Sequence, residues 1–231
     1  MGIRCEYESF VCDKRVQAGA DRMRTTIDDP GRNDIVACPL CDAVQGVPIE
    51  HEGTNANAII VRTSHFILIP ALGPLVPGHT LVVSKKHSLS LSCLPAKVHS
   101  DYRCLRIRLR QYCNERGDSL LEAEHGGISD RGPCIQHTHV HLLPRLGMHV
   151  DALSDRLPPL EMSREGYTHL PYIWMSNGVI QRLYDASGAM GQEVRRALGR
   201  KLFLDDWDWA MNPRWQMVAI TLLYWSELIN D

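Results

Sequence analysis

The chain has 231 residues, which at about 150 residues per domain makes one domain and an extension. A hydrophobic share of 44% and a charged share of 23% exclude a disordered or fibrous chain and leave enough apolar residues for a core. With 25 basic against 27 acidic residues the formal charge is −2, so no basic field exists to hold nucleic acid by phosphate neutralisation.

No apolar run reaches the ~18 residues of a membrane helix. Residues 1–16 mix charges with Cys5 and Cys12 where a secretory signal needs an apolar stretch. The expected compartment is a reducing cytoplasm, where the eight cysteines serve as thiols and metal ligands rather than as a disulfide framework. Residues 1–34 read as a flexible lead-in with turns at Asp28-Asp29-Pro30-Gly31 and Asn33-Asp34. Cys38-Pro39-Leu40-Cys41 follows as a tight knuckle. Ala58–Val61 and His65–Ile69 read as strands, the proline-rich stretch Pro70–Pro77 as a loop, and Thr80–Ser84 as a strand.

Val98, Tyr102, Leu105, Leu109 and Tyr112 recur at steps of four, three, four and three, which predicts one face of a long helix. Pro95 stands near its start and Gly117 beyond its end. Arg103, Arg106, Arg108 and Arg110 lie opposite and read as a solvated face. Ser119–Ala123 and His137–Leu143 read as strands. The sum is an α+β unit over residues 35–150, an antiparallel meander with one long helix.

Residues 151–231 form a C-terminal extension. Tyr172–Met175 and Val179–Tyr184 flank Ser176-Asn177-Gly178, a hairpin signal. Ser187–Leu198 reads as a helix capped by Ser187 and closed by Gly199. Asn212-Pro213 opens a last helix to about Ile229, with Trp215, Ala219, Leu222 and Trp225 on its buried stripe.

His137-x-His139-x-His141 is the most informative stretch. Alternation in a strand puts all three rings on one face, roughly 6.6 Å apart per step, with Thr138, Val140 and Leu142 turned to the core. Such a row suits either metal binding or nucleophilic and acid–base chemistry on an anion. Cys38 and Cys41 are half of a tetrahedral zinc site and need two more ligands.

These blocks resemble the histidine triad family of nucleotide hydrolases and transferases. The triad is followed by Pro144-Arg145 and preceded by Glu124-His125-Gly126. Upstream, the stretch from Gly73 through Pro77-Gly78-His79 to Lys85-Lys86-His87 is similar to that family's loop, strand and final histidine. The resemblance spans about Cys38 to Arg145. It implies an α+β fold with an antiparallel sheet, and a homodimer. It implies that His139 is the nucleophile, forming a transient nucleotidyl-histidine, and that His141 contacts phosphate beside His137. It places Cys134 and Ile135 where backbone N–H groups meet phosphate oxygens, with Gly132 permitting close approach. Glu124 and Gly126 fall at an Asn-x-Gly position near the anion. Cys38, Cys41, His87 and His137 correspond to a closed, structural zinc site.

The chain departs from the family pattern at two places. Ala71 stands where nucleotide-cleaving members carry a ribose-binding Asp, and Glu124 replaces the Asn. His141, where one transferase branch has Gln, argues against sugar-1-phosphate uridylyl transfer. The extension resembles the tail of some bacterial members. On it Gln192 or Arg195 could reach an anionic leaving group. The expected function is therefore a nucleotide phosphoester or phosphoanhydride hydrolase, or a nucleotidyltransferase, acting on a small molecule without membrane or nucleic acid. The alternatives are a non-catalytic nucleotide sensor or adaptor, and a metalloenzyme using the histidine row on catalytic zinc.

Overall fold

A computed structural model describes residues 38–127, 135–161 and 171–229. The expected lead-in, residues 1–34, lies outside them. Helix α1 is Pro39–Gln45, started by Pro39 in its first turn and ended by Gly46 at φ 81°. A small ribbon, β1 (Glu50–His51) and β2 (Thr54–Asn55), follows. The main sheet then takes β3 (Val61–Arg62), β4 (Phe66–Pro70) and β5 (Thr80–Ser84). Helix α2 is Ala96–Glu115, and β6 (Leu120–Gly126) and β7 (His139–Pro144) come after it. The extension supplies β8 (Tyr172–Ser176), β9 (Gln181–Asp185) and the helices α3 (Glu193–Lys201), α4 (Trp215–Tyr224) and α5 (Ser226–Ile229).

All seven strands of the main sheet are antiparallel, in the order β3-β4-β5-β7-β6-β8-β9. The architecture is α+β, with one long helix and a C-terminal hairpin-and-helix extension. The extension returns to the same sheet, where β8 pairs along its full length with Glu122–Gly126 of β6.

Both sheet faces are covered, which is why β4 is an unbroken apolar run and β5 is buried at every position, with an apolar centre from Leu81 to Val83. One face carries Leu68, Val82, Val140, Leu142 and Trp174. It packs on Tyr102, Leu105, Leu109 and Tyr112 of α2, and on Trp225 and Leu228. The other face carries two separate clusters. At one end Ile67, Ile69, Leu81 and Val83 bury Leu40 and Ala43 of α1. At the other, Leu121, Ala123, Ile173 and Met175 bury Val194, Ala197 and Leu198 of α3. Between α1 and α3 this face is left open as a cavity. Among the described residues no helix is long and apolar enough to cross a membrane.

Several expected elements shift. Arg106 and Arg110 do not form a solvated face: both turn inward to Glu122 on β6. Ser187 does not cap α3, because Asp185 takes its N–H at 2.8 Å and its hydroxyl, so the helix starts at Glu193. Gly199 lies inside α3, where a Cβ would stand 2.7 Å from Trp207 Cβ. The last helix starts at Trp215 after Arg214 at φ 51°, not at Pro213, and breaks at Trp225. Its buried stripe is Val218, Thr221, Trp225 and Leu228, not the one through Trp215, Ala219 and Leu222.

Candidate functional site

Four ligand-bearing residues converge where α1 meets the sheet. Cys38 stands just before α1 and Cys41 one turn into it. His87 follows β5, and His137 precedes β7. The four potential ligand atoms lie within 4.8 Å of one another. Cys38 Sγ is 3.4 Å and Cys41 Sγ 3.5 Å from His137 Nδ1, and Cys41 Sγ is 3.3 Å from His87 Nδ1. Ligands 2.3 and 2.05 Å from a tetrahedral zinc would be about 3.5 Å apart. His137 donates from Nε2 to the Ser84 carbonyl at 2.7 Å, which leaves Nδ1 with its lone pair toward the sulfurs. Burial pulls the His137 ring down to about 4, so it is a neutral donor. Two thiolates and two neutral imidazoles at this spacing could hold a zinc ion, and they fit it.

The strand begins at His139, and His137, two residues earlier, turns its Nδ1 to the cysteines of α1, the helix that packs on the Leu81 and Val83 face of the sheet, where His139 and His141 also stand. His139 and His141 do share a face, with ring centroids 5.2 Å apart. Hydrogen bonds fix their tautomers. His139 donates from Nδ1 to the His137 carbonyl at 2.6 Å, leaving Nε2 as the unprotonated nitrogen. The Leu75 N–H donates to His79 Nδ1 at 3.1 Å, so the His79 hydrogen is on Nε2. That nitrogen donates to His141 Nδ1 at 3.0 Å, and the His141 hydrogen is accordingly on Nε2. Burial lowers the pKa of His139, and that of His79 and His141 further still. All three rings are neutral at physiological pH.

The cavity beside them has apolar walls from Leu40, Ile49, Ile69, Leu72, Leu81, Ile135, Val194 and Trp209. Its polar lining includes His125, His139, His141, Gln192, Glu193 and Arg195. Glu193 is committed to Arg156 at 2.7 Å and Arg196 at 3.4 Å. Arg195 is buried.

The remaining sequence-predicted residues distribute as follows. Ile135 lines the cavity, whereas Gly132 and Cys134 lie outside the described residues. Glu124 pairs with Val140, not with a triad histidine, and so faces away from the cavity. There it accepts the Leu91 N–H and the Tyr172 hydroxyl, each at 2.6 Å. Gly126 shares that far side, where a Cβ would stand 2.4 Å from Tyr172 Cζ. Gln192 reaches the cavity, but its amide is engaged with Asp208 Oδ1 at 2.9 Å and the Trp209 N–H at 3.4 Å. Ala71 is buried in the cavity wall, with no carboxyl to offer.

Sequence reasoning missed His125, whose ring faces the cavity and is brought by burial, then by His139, down to about 4. Alternation from Ala123, which pairs with His141, is the signal that locates it. Of the cysteines away from this site, Cys113 is buried and Cys104 exposed.

The HIT domain model matches residues 52–148. An uncharacterised HIT-like protein of Saccharolobus solfataricus is 26% identical over 141 residues, 58% of this chain and 91% of its own length. An uncharacterised HIT-like protein of Mycobacterium tuberculosis is 30% identical over 111 residues, 46% of this chain and 70% of its own. A Zn-bound histidine triad family protein from Mycobacterium smegmatis superposes with a TM-score of 0.36 at 22% identity, covering 47% of this chain and 75% of that one.

Proposed function

This chain belongs to the HIT domain family, and from that premise we propose that it is a nucleotide phosphoester or phosphoanhydride hydrolase or nucleotidyltransferase working through His139. The observation that carries the reading is the unprotonated Nε2 of His139, held toward the cavity by the bond from its Nδ1 to the His137 carbonyl. That nitrogen attacks the α-phosphorus, a P–N bond forms, and the P–O bond to the leaving group breaks with its electron pair. Water then attacks phosphorus and the pair of the P–N bond returns to Nε2. The proton of the water goes to the departed anion or to solvent. One hard displacement becomes two easier ones.

In this mechanism His141 donates its Nε2–H to a non-bridging phosphate oxygen and stabilises charge as it develops. His79 sets that tautomer. A neutral imidazole whose other nitrogen already accepts a hydrogen bond is a poor source of a proton, so the site suits leaving groups that depart as stable anions. The apolar walls from Leu40, Ile69 and Trp209 take the flat group of the substrate and exclude water.

Cys38, Cys41, His87 and His137 would hold a structural zinc. The ion supplies a cross-link between α1 and the start of β7, with no open position for substrate. The orientation of His137 toward sulfur, with His139 bonded to a carbonyl, supports this reading over a catalytic zinc on the histidine row. The missing carboxyl at Ala71 favours as second reading a nucleotide sensor that binds without turnover.

The test is intact-protein mass spectrometry after brief incubation with a nucleotide panel, quenched at alkaline pH where P–N bonds survive. Wild type is expected to gain the mass of one nucleoside monophosphate and His139→Ala none. Substrate consumption that persists in His139→Ala would rule the mechanism out. Tight binding without turnover in wild type would select the sensor.

A further inference from the structure

The tail helix α3 brings to the cavity one buried cation that has no carboxylate in direct contact among the described residues. Arg195 is 4% exposed and lines the cavity together with His139 and His141. Its Nε donates to the Trp207 carbonyl at 3.0 Å and an Nη to the Gly73 carbonyl. Among the described residues no carboxylate lies within 4.0 Å of it. A guanidinium has five N–H donors, so bonds to two carbonyls leave donors over.

The acids and bases around it are otherwise committed. Glu193 pairs with Arg156 and Arg196. Asp208 bonds the Gln192 amide. Arg214 pairs with Asp206 at 3.3 Å and donates to the Pro74 carbonyl at 2.7 Å. Burial holds the pKa of Arg195 down to about 10, still well above neutral, so the group carries its charge in a desolvated place. Its field is felt by His79 and His141, which sets it on the His141 side of the pair. Asp208 acts on Arg195 through its field without pairing with it; a buried cation with no directly paired counter-charge is costly, and the cost is offset when an anion completes the site.

We propose that Arg195 binds a second anionic group of the substrate, the phosphate-type leaving group, and so selects phosphoanhydrides over esters or amides with uncharged leaving groups. This rests on the reading of His139 as nucleophile: with phosphorus over His139 and its oxygen on His141, the leaving group extends toward Arg195. The guanidinium fork matches two phosphate oxygens. It also receives the charge that the P–O electron pair delivers, which His141 cannot neutralise by giving up a proton.

The test uses the full chain and calorimetric titration with three probes that need no turnover: AMP, adenosine 5′-(α,β-methylene)diphosphate and inorganic pyrophosphate. Wild type is expected to bind the methylene diphosphate about tenfold more tightly than AMP, the yield of one added charge-assisted contact. Arg195→Gln should abolish that ratio with AMP affinity held within about threefold, and Arg195→Lys, which keeps the charge, should restore part of it. An equal loss for both nucleotides in Arg195→Gln, with Lys giving no rescue, would assign Arg195 a structural role through Trp207 and Gly73 and overturn the inference. So would a wild-type ratio of one. If the nucleotides fail to bind but pyrophosphate affinity falls in Arg195→Gln, the anion site stands and the nucleotide reading falls. If pyrophosphate too is insensitive to Arg195, the anion site falls. An adduct on His139 with no Arg195 dependence keeps the mechanism and sinks only the selectivity.

Discussion

His79 gives its Nε2 hydrogen to Nδ1 of His141 across 3.0 Å, because the backbone N–H of Leu75 already occupies the other nitrogen of His79. One backbone amide thus dictates, through two rings, which His141 nitrogen presents a hydrogen to the cavity. Removing the relay in His79→Ala leaves the His141 tautomer unbiased. A hydrogen bond of about 1–1.5 kcal/mol is lost, so kcat should fall about tenfold with a smaller change in KM. Long-range 15N–1H correlation spectra check the cause. Wild type should show His141 protonated at Nε2, and His79→Ala should show a mixture.

Metal removal should act on the fold before it acts on chemistry. The sulfurs of Cys38 and Cys41 reach His87 and His137 across 46 to 99 residues of sequence, so a zinc ion there would tie the start of α1 to the sheet. A ligand at 1,000 times its Kd contributes about 4 kcal/mol. For a chain of this size that is on the order of 10 °C in Tm. Elemental analysis should find one zinc per chain in wild type and none in Cys41→Ala. Calorimetry with a chelator should show the matching drop in Tm. Full activity and an unchanged Tm after complete metal removal would contradict a structural zinc.

The parts of the molecule visible in the sequence are those set by local pattern. Thr80–Ser84 was bounded to the residue because a β-branched run sits between a Pro-Gly turn and a lysine pair. The buried face of α2 followed from its periodicity. What stayed hidden depends on partners distant in sequence. Strand alternation carries His137 onto the face of His139, but what it meets there is a pair of sulfurs at α1, 96 and 99 residues away in sequence. The site followed the same rule. Glu124 next to His125 looks as near to the anion as any residue, yet the register of β6 on β7 sends Glu124 to the far face and His125 to the cavity.

Buried on that far face, Glu124 makes stability depend on pH. Burial pushes its carboxyl up to about 7, against the bonds from Tyr172 and Leu91 that favour the charged form. A folded pKa above the unfolded one stabilises fully below the unfolded value near 4.5. That contribution fades as pH rises toward 7 and is gone above it. The span corresponds to about 3 kcal/mol. Urea melts should therefore show wild type losing stability between pH 5 and pH 8 relative to Glu124→Gln, which cannot ionise, while the buried histidines, whose lowered pKa values favour higher pH, contribute equally to both proteins. A slope equal in both proteins would place the dependence elsewhere.

Glu122 sits two residues earlier on the same face, fully buried between Arg106 and Arg110, each 2.5 Å from one of its oxygens. Arg106 also donates to Ser176 Oγ at 3.0 Å, and Arg110 to the Asn177 carbonyl. The carboxylate therefore anchors both α2 and the β8–β9 turn. Burial raises its pKa, and the two guanidinium groups oppose the rise. Glu122→Gln keeps the shape and removes the charge, leaving two cations crowded at the sheet. Breaking a buried pair costs about 3–5 kcal/mol, and the partial exposure of both arginines brings the expected loss to about 3 kcal/mol. The triple variant Glu122→Leu, Arg106→Met, Arg110→Met removes all three charges together and should recover most of that loss. Urea unfolding of the two proteins decides it. A Gln variant as stable as wild type would mean that the hydrogen bonds of the arginines to Ser176 and Asn177, and not the ion pairs, hold the helix to the sheet.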